Sequence, residues 1–249
     1  MRFGEEVEHK HQSLVEHLSE LRVRLIRAAI AIVIAGIASY YFSETIFNVI
    51  RAPIIPHLKN MGLVFTAPMD KFMAHIKISL FSGVLLSTPF WFYQIWQFIA
   101  PGLYKQERRY ALGFIFAAVS LFFTGVAICY FAVLPVTFEF LLGFGGSVDQ
   151  PMITISEYIS FFITIHLAFG LAFELPLILV VLGMLGIVSQ AFLRDKRRYA
   201  IVIMSIFAAI VTPSPDAVTM LLMLVPLALL YEVAVILVGF FEKRNQVES

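Results

Sequence analysis

The chain has 249 residues, of which 60% are hydrophobic and only 14% are charged, and its formal net charge is +1. A soluble domain of this size cannot hide so much apolar surface, and a nearly neutral chain exerts no general attraction on nucleic acid. The hydrophobic content therefore indicates an all-α, polytopic integral membrane protein. The single cysteine excludes an internal disulfide, and we expect no metal and no cofactor.

The N-terminal segment, residues 1–27, has the pattern of an amphipathic helix. Ser13 and Glu16 have the spacing of a capping box, and leucines recur every three or four positions from Leu14 to Leu25. This pattern predicts a cytoplasmic helix that lies at the membrane surface and continues into the first span.

Six apolar segments follow, each bounded by charged or turn-forming residues. A bilayer core about 30 Å thick needs about 20 apolar residues of helix, so each segment is a candidate transmembrane helix. The predicted spans are residues 25–43, 76–100, 110–134, 158–187, 199–213 and 217–240. With a cytoplasmic tail at 241–249, they form one membrane domain over residues 1–249.

Prolines and one capping pattern mark irregularities in these spans. Pro89 and Pro176 predict kinks in spans two and four, and Pro226 predicts an interruption of span six. Thr154 and Glu157 have the spacing of a second capping box, which predicts a helix start just before span four.

Spans five and six are short. The apolar part of span five runs for 13 residues from Tyr199 to Val211, or about 20 Å of helix. In span six, 15 residues precede the charge of Glu232. Such spans thin the bilayer locally, unless their helices extend past the apolar run.

Basic residues indicate the orientation. Fourteen of the 18 Lys and Arg fall in the N-terminal segment, in residues 105–109, in residues 194–198 and in the tail, whereas the loops after spans three and five have none. The positive-inside rule therefore predicts six crossings with both termini in the cytoplasm of the cell.

Glu174 is the deepest acidic residue, near the middle of span four. A charge there is costly, so the side chain should face protein or water. It could serve as a proton relay, as a polar contact for a partner helix, or as a neutral, hydrogen-bonded core residue. His166, eight residues earlier, lies on the same broad face of the helix.

Glu20 and Glu107 are acidic residues on the predicted cytoplasmic side. By physics alone each is an ordinary surface carboxylate, because Glu20 has Arg24 at i+4 and Glu107 is followed by Arg108 and Arg109. No metalloprotease, serine-hydrolase or phosphate-loop motif occurs in the chain, so we expect no enzymatic activity.

Several segments, taken in order, resemble the TatC family, the multi-spanning receptor subunit of the twin-arginine protein translocase. They are HLSELRVRL at 17–25, AP at 52–53, FIAPGLYKQERR at 98–109, FELP at 173–176, KRRY at 196–199 and TPSPD at 212–216. The resemblance covers nearly the whole chain and fits the six predicted spans.

This resemblance implies functions for individual residues. Glu20 and Glu107 match acidic positions that read the paired arginines of signal peptides, with Arg22 and Phe98 in the same recognition region. A guanidinium presents a planar fork that pairs with carboxylate, which lysine cannot imitate.

Three further positions match family residues away from that region. Glu174 matches the intramembrane acid, and Pro53 and Asp216 match functional positions of the external loops. After Asp216, where relatives can carry a polar amide, this chain has Met220 and nearby Thr219, so a contact assigned to that amide is in doubt.

The resemblance also implies partners and a location. We expect binding of twin-arginine signal peptides of folded proteins, TatA-type and TatB-type single-span subunits, self-association in a larger complex, and transport driven by the proton motive force across the inner membrane. Two alternatives stay open: a proton-coupled small-solute transporter using Glu174, which the lack of an internal repeat disfavours, and an intramembrane enzyme, which would need a second deep catalytic group.

Overall fold

The computed structural model describes residues 14–58, 62–100, 111–143, 152–211 and 217–247. Over these residues the chain is helical apart from turns and one isolated bridge, which confirms the all-α class. The helices are α1 Leu14–Tyr40, α2 Ser43–Arg51, α3 Asp70–Leu86, α4 Thr88–Ile99, α5 Ala111–Ile128, α6 Leu134–Gly143, α7 Ile155–Ala172, α8 Leu175–Met184, α9 Gln190–Asp195, α10 Arg197–Val211 and α11 Ala217–Val247.

Several of these helices can cross a bilayer by length and composition. Three continuous helical stretches are long and apolar enough, at Ala111–Gly143, Ile155–Met184 and Ala217–Glu242. Two bent pairs, α1 with α2 and α3 with α4, raise the number to five if each pair counts as one span. The remaining apolar helix, α10, has 15 residues and is about 22 Å long. The count of six crossings stays a prediction.

The start of α1 joins the predicted amphipathic segment to span one without a break. Ser13 of the first capping box lies outside the described residues. The second capping box is confirmed: the Glu157 amide donates to Thr154 Oγ1 at 3.2 Å, and the Thr154 hydroxyl donates to Glu157 Oε2 at 3.0 Å. This cap defines the first residue of α7, because it satisfies a backbone donor that has no partner within the helix.

Two of the three prolines act as predicted. Pro89 follows the junction of α3 and α4, where the axis bends by 55°. Pro176 lies in the first turn of α8, after α7 has ended at Ala172. The interruption predicted at Pro226 is wrong, because α11 runs through it. The lost backbone hydrogen bond there is offset by packing of the buried neighbours Met223 and Leu227 in the main core.

Helix α11 also corrects the expected length of span six. It has 31 residues and extends past the apolar run to Val247, so it is about 46 Å long. Span five, by contrast, is as short as predicted.

Glycines allow the closest helix approaches. A Cβ atom at Gly83 of α3 would lie 2.5 Å from the carbonyl oxygen of Ile32 and 2.6 Å from the nitrogen of Gly36, both on α1. A Cβ at Gly125 of α5 would lie 2.5 Å from the carbonyl oxygen of Phe169 on α7. Small residues at these crossings let the helix backbones touch, as in other membrane proteins.

The predicted span three contains a wide helical turn for which the sequence gives no signal. Residues Cys129–Val133 form one π-helical turn between α5 and α6. Cys129 is completely buried there, in agreement with its interpretation as a small hydrophobic core residue.

Candidate functional site

A polar cluster lies where the N-terminal part of α1 packs against α4. Because α1 contacts both α3 and α4, residues separated by 73 positions in the sequence meet there. The cluster contains two residues predicted from the sequence, Glu20 and Phe98, together with His17, Arg24 and Gln97.

Arg24 is the centre of this cluster. Its Nε atom donates to Glu20 Oε1 at 3.2 Å, and its Nη2 atom donates to the same oxygen. Its Nη1 atom donates to Gln97 Oε1, and Gln97 Nε2 in turn donates to the Tyr93 hydroxyl. The expected pairing of Glu20 with Arg24 is therefore confirmed. Side-chain exposures of 15% for Arg24 and 27% for Glu20 show that the pair is partly withdrawn from solvent.

The second carboxyl oxygen of Glu20, Oε2, has no hydrogen-bond partner among the described residues. Besides Arg24, His17 is a second basic group of the cluster, and its Nδ1 lies 4.0 Å from this oxygen. The His17 ring stacks on Phe98, with centroids 4.3 Å apart and planes inclined by 18°. The cluster thus contains a buried carboxylate oxygen that has no hydrogen-bond partner and lies beside an aromatic pair, so a cationic N–H donor that reached it would satisfy this oxygen and stack on the rings.

The other two residues predicted to take part in recognition are Arg22 and Glu107. Arg22 is exposed on α1, two positions from Glu20 and hence on a different side of the helix. Glu107 lies in residues 101–110, outside the described residues.

Glu174 is a separate, buried polar residue. It lies at the junction of α7 and α8, is only 5% exposed, and has one carboxyl oxygen, Oε1, with no hydrogen-bond partner in the described part of the chain. It is 19 positions after the start of α7, or about 28 Å along the helix. A buried, unsatisfied carboxyl oxygen is expensive, and a polar group from another chain or a bound proton would relieve that cost.

Of the two predicted external-loop residues, only Pro53 is among the described residues, and it is not part of either site. Pro53 is half-buried in the turn that follows α2. That turn is anchored from two other spans, because the Tyr130 hydroxyl donates to the carbonyl of Val49 at 2.8 Å and the Tyr158 hydroxyl to that of Ile50 at 2.5 Å. Asp216 lies outside the described residues.

Sequence reasoning missed His17, Gln97 and Tyr93. The contact between His17 and Phe98, like that between Arg24 and Gln97, depends on the packing of α1 against α4, which no local pattern encodes. The one available signal was the position of His17 three residues before Glu20, on the same helix face. Over the described residues, no three His, Cys, Asp or Glu side chains lie together as a metal site would require.

Comparisons with known proteins agree with the resemblance seen in the sequence. The family model "Sec-independent protein translocase protein (TatC)" matches residues 16–226. Proteins of that name from Desulforapulum autotrophicum and Magnetococcus marinus are 40% and 42% identical to this chain, covering 96% and 95% of it and 88% of each relative.

The fold has a counterpart among solved structures. A crystal structure of the twin-arginine translocase receptor TatC superimposes with a TM-score of 0.79 at 38% sequence identity. The match covers 90% of this chain and 99% of that protein, so the likeness extends over the whole membrane domain.

Proposed function

The chain belongs to the TatC family of Sec-independent protein translocase proteins, and on that premise we propose that it binds twin-arginine signal peptides of folded proteins. It is a component of a protein translocase, and the match to a translocase receptor makes recognition of cargo its natural part in that machinery. The binding surface we assign is the cluster of Glu20, Arg24, Gln97, Phe98 and His17.

The observation that carries this proposal is the unequal use of the Glu20 carboxylate. Oε1 is held by Arg24, whereas Oε2 is buried without a hydrogen-bond partner and lies next to the His17–Phe98 stack. An incoming arginine can donate to Oε2 while its guanidinium plane lies against the aromatic rings. The hydrogen bonds from Arg24 keep the carboxylate oriented in the absence of a ligand.

The second arginine of the signal needs a second acceptor, and Glu107 supplies it in this proposal. Phe98 lies near the end of the predicted span two, and Glu107 comes nine positions later, after that span. Two carboxylates from distant parts of the chain can each take one guanidinium in a defined direction, so a pair of adjacent arginines is read as a unit. Arg22, on the exposed side of α1, repels cations that approach outside this path.

The proposed orientation follows from the charge distribution. Six crossings, with both termini in the cytoplasm, put Glu20 and Glu107 on the side of the inner membrane where signal peptides are made. Short α10 then supplies the fifth crossing.

Partner contacts form the rest of the proposal. The buried carboxyl of Glu174 is a polar contact for the span of a TatA-type or TatB-type subunit, and its protonation links assembly to the proton motive force. Pro53 and Asp216 take part in contacts on the external side, where copies of the chain associate in a larger complex.

A binding assay with paired peptides tests the recognition site. Purified protein is titrated with one fluorescent signal peptide that carries two arginines and with a second in which both are lysines. The two-lysine peptide should bind at least about tenfold more weakly, because hydrogen bonds to charged groups contribute about 1.5–3 kcal/mol each. Glu20→Ala and Glu107→Ala should each weaken binding of the two-arginine peptide by a similar factor.

Glu44→Ala is the matched control, since Glu44 is an exposed carboxylate in the first turn of α2, far along the chain from the cluster. Equal affinity for both peptides would mean that only charge is read. Unchanged binding by both the Glu20 and Glu107 variants would reject this site.

A further inference from the structure

An exposed basic residue lies at the start of the predicted span two, away from the recognition cluster. Lys77 is exposed on α3, seven positions after its first residue, or about 10 Å along the helix. A lysine at the end of a membrane span extends its side chain toward the interface or binds an anion.

Lys77 borders a groove between α3 and α7 with a cavity volume of about 300 Å³. Below the lysine the groove is apolar: Leu80 and Val84 line it from α3, and Ile163 and Leu167 line it from α7. The groove therefore combines one cation at its upper end with an aliphatic channel that follows the helix axes.

Lys77 has no carboxylate in direct contact among the described residues, and Asp70 acts on it only at longer range. Its Nζ atom donates one hydrogen bond, to Ser160 Oγ at 2.9 Å, and no carboxylate of the described residues lies within 4.0 Å of it. The acidic residues at the starts of the same two helices are engaged locally. Asp70 accepts the amides of Thr66 and Ala67, and Glu157 accepts the Thr154 hydroxyl. Two N–H donors of the ammonium thus remain for an external anion.

We propose that this groove binds one anionic phospholipid. The lipid phosphate accepts hydrogen bonds from Lys77 Nζ, and one acyl chain lies along Leu80, Val84 and Leu167. A cavity of about 300 Å³ suits a single hydrocarbon chain, whereas a transmembrane helix about 10–12 Å across needs a wider opening. The cation at the end of an apolar channel matches a ligand that is charged at one end only.

This site is independent of the signal-peptide proposal, because it uses no residue of the recognition cluster. Native mass spectrometry of the detergent-purified full chain can measure it. The protein is titrated with phosphatidylglycerol or with phosphatidylcholine, and the fraction with one bound lipid is followed. The wild-type protein should retain phosphatidylglycerol preferentially, and Lys77→Gln should reduce that retention about fivefold, the effect of one basic residue at a membrane surface.

Two variants separate the site from general charge and from misfolding. Lys71→Gln removes another cation of α3, one that lies over the Phe65 ring outside the groove, and should leave lipid retention unchanged. Thr164→Trp, at an exposed position of the groove wall, keeps Lys77 but fills the channel and should reduce retention of both lipids. Retention of phosphatidylglycerol by the Lys77 variant at the wild-type level, or an equal loss in Lys71→Gln, would overturn the proposal. So would the absence of any retained lipid in the wild-type protein.

Discussion

The two carboxyl oxygens of Glu20 have different surroundings, and this difference limits how a cation can approach. Oε1 accepts two N–H groups of Arg24, so it has little capacity left. Oε2 is the acceptor that remains, and the His17–Phe98 stack flanks it. In the proposed complex a ligand arginine would therefore bind Glu20 through Oε2 alone, and the preference for a pair of arginines has to come from a second acceptor.

Gln97 should be a positioning residue of this site. It holds Nη1 of Arg24 and is itself held by Tyr93, so removing its carbonyl frees the guanidinium to turn away from Glu20. We expect Gln97→Met to weaken binding of the two-arginine peptide about threefold to tenfold, which corresponds to the net value of about 0.5–1.5 kcal/mol for one ordinary hydrogen bond. Peptide titration of the purified variant measures this.

Gln97→Glu serves as the control, because it keeps an oxygen acceptor for Arg24. It should bind the two-arginine peptide at least as well as the wild-type protein. If Gln97→Met and Gln97→Glu lose affinity equally, the Arg24 contact has no part in recognition and the side-chain packing of α4 alone matters.

Glu174 gives a second prediction for a single residue. Glu174→Gln keeps a hydrogen-bonding side chain but cannot exchange a proton. We expect export of a twin-arginine reporter protein to fall about threefold to tenfold, the range of one hydrogen bond between helices in a membrane. Binding of the signal peptide should stay at the wild-type level, since Glu174 belongs to a different pair of helices from the recognition cluster.

Glu157→Gln on the same span is the comparison for that variant, because Glu157 is an exposed carboxylate at the capped start of α7. It should export the reporter normally. Wild-type export by Glu174→Gln would leave the buried carboxyl with a packing role only.

Close packing between helices depends on a few glycines. Gly83 is the clearest, because the first atom of any side chain there would overlap the backbone of α1 at Ile32 and Gly36. We expect Gly83→Leu to separate α1 from α3 and to lower the free energy of unfolding by about 1–3 kcal/mol, the usual cost of overpacking. Thermal unfolding of the purified protein in detergent measures the loss.

Gly113→Leu is the matched substitution on another helix, since a Cβ atom at Gly113 of α5 has no heavy atom within 4 Å. Its melting temperature should stay close to that of the wild-type protein. Equal melting temperatures for the two variants would show that α1 and α3 can shift apart without cost. The recognition cluster depends on this crossing, because α1 also carries Glu20 to α4.

Individual helices differ in how far the sequence predicts them. Pro89 and the Thr154–Glu157 cap act through the local backbone, and both were predictable because the nearest hydrogen bonds decide them. Pro226 lies inside a helix that packing preserves, so its local signal was misleading. The π-helical turn at Cys129 has no sequence signal of its own, since a π turn differs from an α turn only in register.

At the scale of the whole molecule, the pattern of apolar runs was enough to predict an all-helical membrane domain, because a bilayer excludes nearly every other spanning structure. The recognition cluster was predictable only in part. The Glu20–Arg24 pair follows from helix spacing, but the approach of Gln97 and Phe98 is a result of how α1 packs on α4. Contacts of this kind, between residues that are distant in the sequence, can be predicted only from the fold or from a resemblance to a known family.

The orientation of the whole chain decides whether the cluster can meet a signal peptide, and thiol labelling can test it. Cys129 is completely buried, so the native protein should not react with a membrane-impermeant maleimide. Met152→Cys, at a position 74% exposed before α7, should be labelled in intact cells. Arg194→Cys, in exposed α9, should be labelled only after the membrane is broken.

These two positions report on Glu20 because four predicted crossings separate it from residue 194, so both should lie on the same side of the membrane. Residue 152 should lie on the other side, three crossings after Glu20. Labelling of Arg194→Cys in intact cells would place the basic loop and Glu20 outside, where no newly made signal peptide is available. Protection of both thiols in intact cells would instead place residue 152 on the inner side of the membrane. The chain would then cross the membrane an even number of times before α7, and the six-crossing topology would be wrong.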